Sequence, residues 1–286
     1  MMASCSQMQH KQRHFAFNMH TKFNLGETTM KPKKIRAILF DCDGVIINSA
    51  TDIANAVNAT LKAHGMRPVS YTKMRTFVGN GSAALVERAI KNSKRLEIES
   101  PLPIPQTQFK KIHAEYLQYY YSHAIAKTKL YPGFEKMLAK LNARGIRTGI
   151  VTNKPTKILR QILKHFKIEK YFDALIGPEQ VKNLKPAPDG IFAALEKINQ
   201  KIQNEIKRKS KKDSDDAAAE FIPIAPEETI MVGDSYTDIG AGHAAGTFTV
   251  AVLGGMGDKE KMLAQKPDLQ IQLAAQIVDA AVLANI

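Results

Sequence analysis

Two aspartates one residue apart, Asp41 and Asp43, follow the mostly apolar run at residues 35–40. An apolar run of this length that ends in a polar, glycine-containing turn is typical of a buried strand. In an α/β sheet, ligands bind beyond the carboxyl ends of such strands. Two neighbouring carboxylates repel each other unless a cation or a shared proton lies between them. Because Mg²⁺ prefers carboxylate and water oxygens, the pair suggests a metal-assisted carboxylate centre.

Four further residues down the chain could complete this centre. All lie just after apolar runs or in a stiff loop, and they are Thr152 after the run 148–151, Lys185 before Pro186, and Asp234 and Asp238 after the run 229–232. Each feature alone is common, and an Asp-x-Asp-Gly turn is also typical of calcium loops. In this order, the set resembles the four motifs of the haloacid dehalogenase-like phosphohydrolases, over roughly residues 34–255.

The resemblance implies a role for each acidic residue. Asp41 would be the nucleophile that forms an aspartyl-phosphate intermediate, and Asp43 would protonate the leaving alkoxide and then deprotonate the attacking water. Mg²⁺ would be bound by Asp41, Asp234 and the backbone carbonyl of Asp43. Asp238 has two open interpretations, a metal ligand (direct or through water) and a cap of the following helix.

The other site residues would contact the phosphoryl group. Thr152 would supply a hydroxyl donor and Asn153 an amide donor, while Lys185 would bring positive charge to the nucleophile and the phosphate. Gly44 would let backbone amides approach the phosphate closely. The alternatives are a turn hydroxyl for Thr152 and an ordinary exposed side chain for Lys185.

The segment 77–89 bears on the substrate, because it resembles the cap loop of bacterial phosphoglycolate phosphatases. This resemblance predicts a small phosphorylated metabolite, with 2-phosphoglycolate as the first choice. Gly79 and Gly81 permit a tight turn whose backbone could enter the site, and Asn80 would contact the carboxylate of a small acid. The alternative is an ordinary loop between two helices.

Other observations leave the substrate more open. Val45 departs from the phosphoglycolate phosphatase pattern, in which threonine is usual, and valine there is familiar in related sugar-phosphate mutases. A β-phosphoglucomutase-like isomerase is therefore an alternative function. Arg75 and Arg88 are interpreted as surface residues, with carboxylate recognition as their alternative.

The formal net charge of +14 raises a third function, a non-enzymatic anion- or nucleic-acid-binding protein. Much of this charge lies at 31–34 and 197–212, outside the motifs and without the interleaved aromatic residues of a single-strand binder. We therefore expect no dedicated nucleic-acid partner.

Strand and helix patterns alternate along residues 34–50 and 128–286, which predicts the α/β class with a Rossmann-like, mostly parallel sheet. The interval 51–127 is helical, and we expect it to be a cap domain inserted after the first motif. Asp52 is the predicted N-cap of its first helix. The cap helices are predicted at 53–61, 71–77, 82–92 and 109–123. Later elements are predicted as strands at 147–152 and 174–177 and helices at 134–144, 156–166 and 189–206.

The composition, 286 residues that are 44% hydrophobic, provides for a substantial core, and no apolar run is long enough to span a bilayer. The cysteines, Cys5 and Cys42, fit a reducing cytoplasm without a disulfide, and Cys42 should be a small core residue facing away from the aspartates. We expect a cytoplasmic monomer or homodimer with no membrane partner.

Two segments are predicted to lie outside the folded core. Residues 1–33 lack periodicity and the apolar region of a secretory signal, so we expect a disordered extension or a start codon placed too early, with Met30 as the later start. Residues 207–220 are polar and low in complexity, which predicts a flexible basic insertion at the surface.

Overall fold

The computed structural model describes residues 34–93, 105–210 and 220–280, so the predicted extension at 1–33 lies outside the described residues. Six parallel strands form the central sheet and two others form a short antiparallel ribbon. In chain order the strands are β1 (Ala37–Phe40), β2 (Ile47–Asn48), β3 (Lys129–Leu130), β4 (Arg147–Val151), β5 (Ala174–Ile176), β6 (Thr229–Gly233), β7 (Phe248–Val252) and β8 (Leu269–Ile271). Across the sheet the order is β5-β4-β1-β6-β7-β8, which places β4 and β6 on either side of β1.

Helices surround this sheet and also form a separate layer. In chain order they are α1 (Ala50–Ala63), α2 (Tyr71–Arg75), α3 (Ser82–Asn92), α4 (Gln106–His123), α5 (Phe134–Ala143), α6 (Thr156–His165), α7 (Asp189–Ser210), α8 (Tyr236–Ala245) and α9 (Lys259–Leu263). Every residue of β1, β6 and β7 is buried. Parallel strands are covered on both faces, which explains their continuous apolar runs in the sequence. The predicted α/β class and Rossmann-like sheet are confirmed.

Helix α7 is longer than predicted. It continues past the predicted end at Ile206 to Ser210, so residues 207–210 of the predicted insertion are helical, and residues 211–219 lie outside the described part of the chain. The basic residues of this last turn are good helix formers, and positive charge is favourable near the C-terminus of a helix. A run of lysine and arginine therefore extends the helix instead of ending it.

Helices α1 to α4, here called the cap helices, lie in the chain between β2 and β3 and pack on one another. Since β2 and β3 pair side by side, the chain leaves the core and returns to it at adjacent points. One cluster of buried apolar side chains continues from the sheet into the cap helices and includes Phe40, Ile53 and Tyr116. We propose that this layer is the predicted cap domain at 51–127.

Asp52 does not cap α1 as predicted. Its carboxylate accepts hydrogen bonds from the backbone nitrogens of Lys127 and Thr128, both at 2.8 Å, and from the Thr128 hydroxyl at 2.8 Å. Only 1% of Asp52 is exposed. A buried carboxylate thus ties the first turn of α1 to the segment that leads back into β3.

Cys42 is fully buried in the apolar cluster, as predicted, whereas Cys5 lies outside the described residues. Within the described ranges, no helix combines the length and the apolar character needed to cross a membrane.

Candidate active site

The carboxyl ends of three neighbouring strands bring the predicted residues together. Asp41 follows β1, Thr152 follows β4, and Asp234 follows β6. Because these strands are adjacent and parallel, the residues that leave their carboxyl ends meet at one edge of the sheet. All three line a cavity whose opposite wall comes from the cap helices.

Asp41, Asp234 and Asp238 form a buried acidic cluster, in which one carboxylate oxygen of each lies within 4.8 Å of the others. Asp238 lies in the first turn of α8, where its Oδ2 accepts hydrogen bonds from the Ser235 backbone nitrogen at 3.0 Å and the Ser235 hydroxyl at 2.6 Å. Its buried Oδ1 lies 2.6 Å from the ammonium nitrogen of Lys185. The predicted helix cap is thus present, and the second carboxylate oxygen forms an ion pair within the site.

Burial and neighbouring charges raise the pKa values of two carboxyl groups of this cluster, Asp41 and Asp234, in the absence of a cation. Burial raises the pKa of the Asp41 carboxyl to about 6, although the Lys185 ammonium works against this shift. Burial also raises the pKa of Asp234 well above its ordinary value, and the charges of Asp238 and Asp41 add to the effect. A cation among the three carboxylates would remove much of this penalty.

Lys185 lies directly beside the predicted nucleophile. Its Nζ donates to Asp41 Oδ1 at 2.7 Å and to the Val151 carbonyl at 2.6 Å, and it forms an ion pair with Asp238 Oδ1 at 2.6 Å. Burial alone would lower the pKa of Lys185, but the charges of Asp238 and Asp41 raise it above its usual value. Lys185 is therefore a fixed positive charge in contact with Asp41.

The residues present fit Mg²⁺. Four site carboxylates and the two ammonium groups paired with them leave a formal charge of −2, which a divalent cation would neutralise. The donors are carboxylate oxygens, the ligands that Mg²⁺ prefers, and one oxygen of each of the three residues lies within 4.8 Å of the others. Asp41, Asp234 and Asp238 are the side chains that would hold the ion.

Gly44 makes room for one of these ligands. Its φ is +89°, and a Cβ atom there would lie 1.8 Å from Asp234 Oδ2. Its backbone nitrogen donates to the Ile47 carbonyl at 2.8 Å. The glycine is therefore required by the position of Asp234, and the predicted approach of backbone amides to a phosphate stays a prediction.

Thr152 and Asn153 both line the cavity but differ in what they can donate. Thr152 Oγ1 accepts from the Lys154 backbone nitrogen at 3.2 Å, which leaves its hydroxyl proton for a ligand. Asn153 Nδ2 donates to the carbonyl oxygens of Gly79 at 2.9 Å and Lys185 at 3.2 Å, while its Oδ1 accepts from the Lys185 nitrogen at 3.1 Å. In this arrangement the Asn153 amide joins two loops, and its predicted phosphoryl contact stays a prediction.

The Asp43 carboxylate also lines the cavity, but outside the acidic cluster. It accepts hydrogen bonds from the Ser49 hydroxyl at 2.5 Å and from Lys154 Nζ at 2.8 and 3.0 Å. Its predicted contribution to a metal site, through the backbone carbonyl, stays a prediction. Lys154 was missed in the sequence, although its place one residue after Asn153 at a strand end was an available signal.

The cap loop reaches the cavity through its glycines, since Gly79 and Gly81 line it. Asn80 is not among the lining residues. Its Nδ2 donates to the Tyr236 hydroxyl at 2.7 Å, and its Oδ1 accepts from Arg88 Nη1 at 2.9 Å. In this structure Asn80 joins the cap loop to α8, and its predicted contact with a substrate carboxylate stays a prediction.

Three further positions from the sequence lie away from the cavity wall. Exposed Arg75 donates to the Gly255 carbonyl at 3.3 Å, and neither Arg75 nor Arg88 lines the cavity. The Val45 side chain is fully buried in the apolar cluster. Its difference from the usual threonine therefore changes core packing and leaves the cavity wall as it is.

Comparison with known proteins supports this assembly. A sequence model of the haloacid dehalogenase-like hydrolases matches residues 38–252. A phosphoglycolate phosphatase of Escherichia coli (strain K12) is 29% identical over 261 residues, which cover 87% of this chain and 94% of that protein. One from Neisseria meningitidis is 31% identical over 224 residues, which cover 78% and 83% of the two chains. The crystal structure of a predicted phosphoglycolate phosphatase from Haemophilus somnus superimposes with a TM-score of 0.70 at 28% identity, covering 86% of this chain and 98% of that one.

The parallel α/β sheet carries an acidic cluster that could hold a metal ion, and a lysine paired with it, at its carboxyl edge. The chain belongs to the haloacid dehalogenase-like hydrolase family. The predicted family and the predicted enzyme class, a phosphoric monoester hydrolase, are confirmed.

Proposed function

We propose that this protein is a Mg²⁺-dependent phosphatase that hydrolyses 2-phosphoglycolate to glycolate and phosphate. One observation carries the reaction type: a buried Asp41 that contacts Lys185 at 2.7 Å and lies within 4.8 Å of Asp234 and Asp238. The relatives named phosphoglycolate phosphatases support the substrate. We also propose that it acts in the cytoplasm, as a monomer or homodimer.

In the first half of the reaction, an Asp41 carboxylate oxygen attacks phosphorus and the bond from phosphorus to the ester oxygen breaks. Lys185 keeps a positive charge beside the nucleophile, and the Thr152 hydroxyl donates to a phosphoryl oxygen. Asp43, which lines the same cavity, gives a proton to the leaving alkoxide. The products of this half are glycolate and a phosphorylated Asp41.

In the second half, Asp43 accepts a proton from a water molecule that attacks the phosphorylated Asp41. Phosphate leaves and the Asp41 carboxylate is restored. Bound Mg²⁺ supplies charge that offsets the repulsion between the carboxylates and the phosphoryl oxygens. The cap loop, through Gly79 and Gly81, narrows the space above the site and favours a small ester.

The test is a screen of small phosphate esters with and without Mg²⁺, using the wild type, Asp41→Asn and the control Glu196→Gln. Glu196 is an exposed residue of α7 that accepts a hydrogen bond from Gln200 and is not among the residues that line the cavity. We expect Asp41→Asn to lower phosphate release by roughly 10³-fold or more while the protein remains folded. Full turnover in Asp41→Asn, or unchanged turnover after chelation of all divalent ions, contradicts the proposal.

The screen includes β-glucose 1-phosphate, because a mutase returns the phosphoryl group to the sugar. Glucose 6-phosphate formed without free phosphate would show a mutase and overturn the phosphatase. Release of phosphate from other small esters, with 2-phosphoglycolate inert, would keep the reaction and overturn only the named substrate.

A further inference from the structure

Lys154 is a buried cation to which the reaction above gives no role. Its side chain is 2% exposed, and it lies between a residue of the core and a residue of the cap helices. Nζ donates to Asp43 Oδ1 and Oδ2 at 2.8 and 3.0 Å and to the Tyr120 hydroxyl at 2.6 Å. It also lies 4.7 Å from the centre of the Tyr120 ring.

These contacts use the donors of Lys154 fully. An ammonium group has three protons, and Nζ has three acceptor atoms within hydrogen-bond distance. Direct recognition of a substrate anion would require one of these bonds to break. The arrangement therefore favours action through Asp43 over contact with the substrate.

Stability alone is a weak explanation for this pair. Taking two charges out of water costs several kcal/mol per ion before their attraction repays it, and apolar replacements are often as stable. What an ion pair adds is orientation: Lys154 holds both carboxylate oxygens of Asp43, and the Ser49 hydroxyl also donates to Oδ1 at 2.5 Å. The carboxylate is thereby fixed at the cavity wall and kept out of the acidic cluster.

A carboxylate held by a cation is an acceptor, and the second half of the reaction needs one. The attacking water must lose a proton as its oxygen bonds to phosphorus and the bond from phosphorus to Asp41 breaks. Tyr120 lies on α4, so the cap helices supply part of the support for this acceptor. The Tyr120 ring in turn stacks on Tyr116, with ring centres 5.7 Å apart.

We propose that Lys154 is a positioning residue that, together with Tyr120 of the cap helices, orients Asp43 to take the proton from the water that hydrolyses phosphorylated Asp41. This inference rests on the proposed function, because it requires that intermediate. It makes the second half of the reaction, and not the first, depend on the contact between α4 and the core.

The experiment separates the two halves with acetyl phosphate, whose leaving acetate needs no proton. The variants are Lys154→Met, Lys154→Arg and Tyr120→Phe, each compared with the wild type after thermal unfolding shows a folded protein that responds to Mg²⁺. Rapid acid quenching and mass spectrometry of the Asp41 peptide give the rates at which the phosphorylated enzyme forms and decays. Steady-state kcat and kcat/KM are measured alongside, and spontaneous hydrolysis is subtracted.

We expect decay of phosphorylated Asp41 to slow at least about 10-fold in Lys154→Met, within the range of a lost general base. Its formation and kcat/KM should change less than about threefold, so kcat and KM fall together. Lys154→Arg should recover part of the decay rate, and Tyr120→Phe should show the same effect more weakly. In an Asp43→Asn background, adding Lys154→Met should not slow the decay of phosphorylated Asp41 further, because the carboxylate that Lys154 orients is already absent.

Other outcomes overturn the inference. If formation slows as much as decay, Lys154 supports the whole site and not Asp43 in particular. If Lys154→Met impairs 2-phosphoglycolate but neither acetyl phosphate nor ethyl phosphate, Lys154 recognises the substrate carboxylate instead. Failure of the proposed function has its own signatures: the wild type would then form no phosphorylated Asp41 from any ester, or it would convert β-glucose 1-phosphate to glucose 6-phosphate without releasing phosphate.

Discussion

The side-chain amide of Asn153, just after β4, donates a hydrogen bond to the carbonyl oxygen of Gly79 in the cap loop, 2.9 Å away. The same side chain holds the backbone of Lys185 through a donated bond at 3.2 Å and an accepted bond at 3.1 Å. One core residue thus fixes both the cap loop and the loop that places a cation on Asp41.

Replacement of Asn153 by aspartate, which has the same shape, should disturb both loops. A carboxylate cannot donate to the carbonyls of Gly79 and Lys185, and a lost buried hydrogen bond costs about 1–3 kcal/mol. We expect kcat/KM of Asn153→Asp to fall roughly 10- to 100-fold, with kcat affected as well as KM. The control Tyr236→Phe removes only the bond to Asn80 and should act mainly on KM. Equal effects of the two variants on kcat would show that the Lys185 loop does not depend on Asn153.

Gly44→Ala should lower turnover far more than its loss of folding stability explains. Both Gly44 and Gly65 have positive φ, but a Cβ on Gly44 would lie 1.8 Å from Asp234 Oδ2, whereas a Cβ on Gly65 meets nothing within 4 Å. The left-handed backbone should cost each alanine variant about 1–2 kcal/mol. Only Gly44→Ala should also displace Asp234, lose the rise in melting temperature on adding Mg²⁺, and lose turnover. An intact Mg²⁺ response in Gly44→Ala would contradict this account of the glycine.

The metal-free protein should become less stable relative to Asp41→Asn as pH rises. Burial raises the folded-state pKa of Asp41 to about 6, above its ordinary 3.8, so the folded state binds the proton more tightly than the unfolded state. The stabilising contribution of that proton is complete below about pH 4 and is lost as pH rises through about 6. The free energy of unfolding is measured with urea in excess chelator from pH 4 to 7. Over this range, its value for Asp41→Asn should rise by up to about 3 kcal/mol relative to the wild type. A difference that does not change with pH would contradict the shifted pKa.

Asp52→Asn should destabilise the whole chain without touching the acidic cluster. In the wild type, donors of Lys127 and Thr128 share the buried Asp52 carboxylate. In the variant, an amide NH₂ replaces one of its oxygens and cannot accept these hydrogen bonds. We expect a loss of about 2–3 kcal/mol in the free energy of unfolding, the scale of hydrogen bonds to a charged group. The control Glu87→Gln, on the exposed face of α3, should change it by less than about 0.5 kcal/mol. Equal, small changes in both would show that Asp52 is dispensable to the fold.

Local patterns were sufficient for most of the fold. Helix α3 has the predicted bounds, Ser82–Asn92, because helical periodicity and the preceding glycine mark it. The apolar runs before Asp41, Thr152 and Asp234 predicted buried strands, and parallel pairing then brought their ends together. Helix α7 was harder, since a run of basic residues is compatible with both a loop and a final helical turn.

The partners of the polar side chains could not be predicted from local patterns. Asn153 bonds to a carbonyl 74 residues away, Asn80 to a hydroxyl 156 residues away, and Lys154 to a carboxylate 111 residues away. Which donor bonds to which acceptor depends on how the cap helices pack against the sheet. Residue type alone does not predict this packing. Position at a strand end therefore predicted which residues lie in the site. Their individual roles became clear only from the tertiary contacts.

The antiparallel ribbon, in which Ile47 lies opposite Leu130 and Asn48 opposite Lys129, has an evolutionary consequence. The segment between these strands is an insertion whose two ends are adjacent. A recombination event could therefore replace it without interrupting the central sheet. The catalytic residues of the core would then face a different substrate-selecting surface, which would change the alcohol that the enzyme can release. Diversification of substrate choice, on this architecture, requires no rebuilding of the reaction.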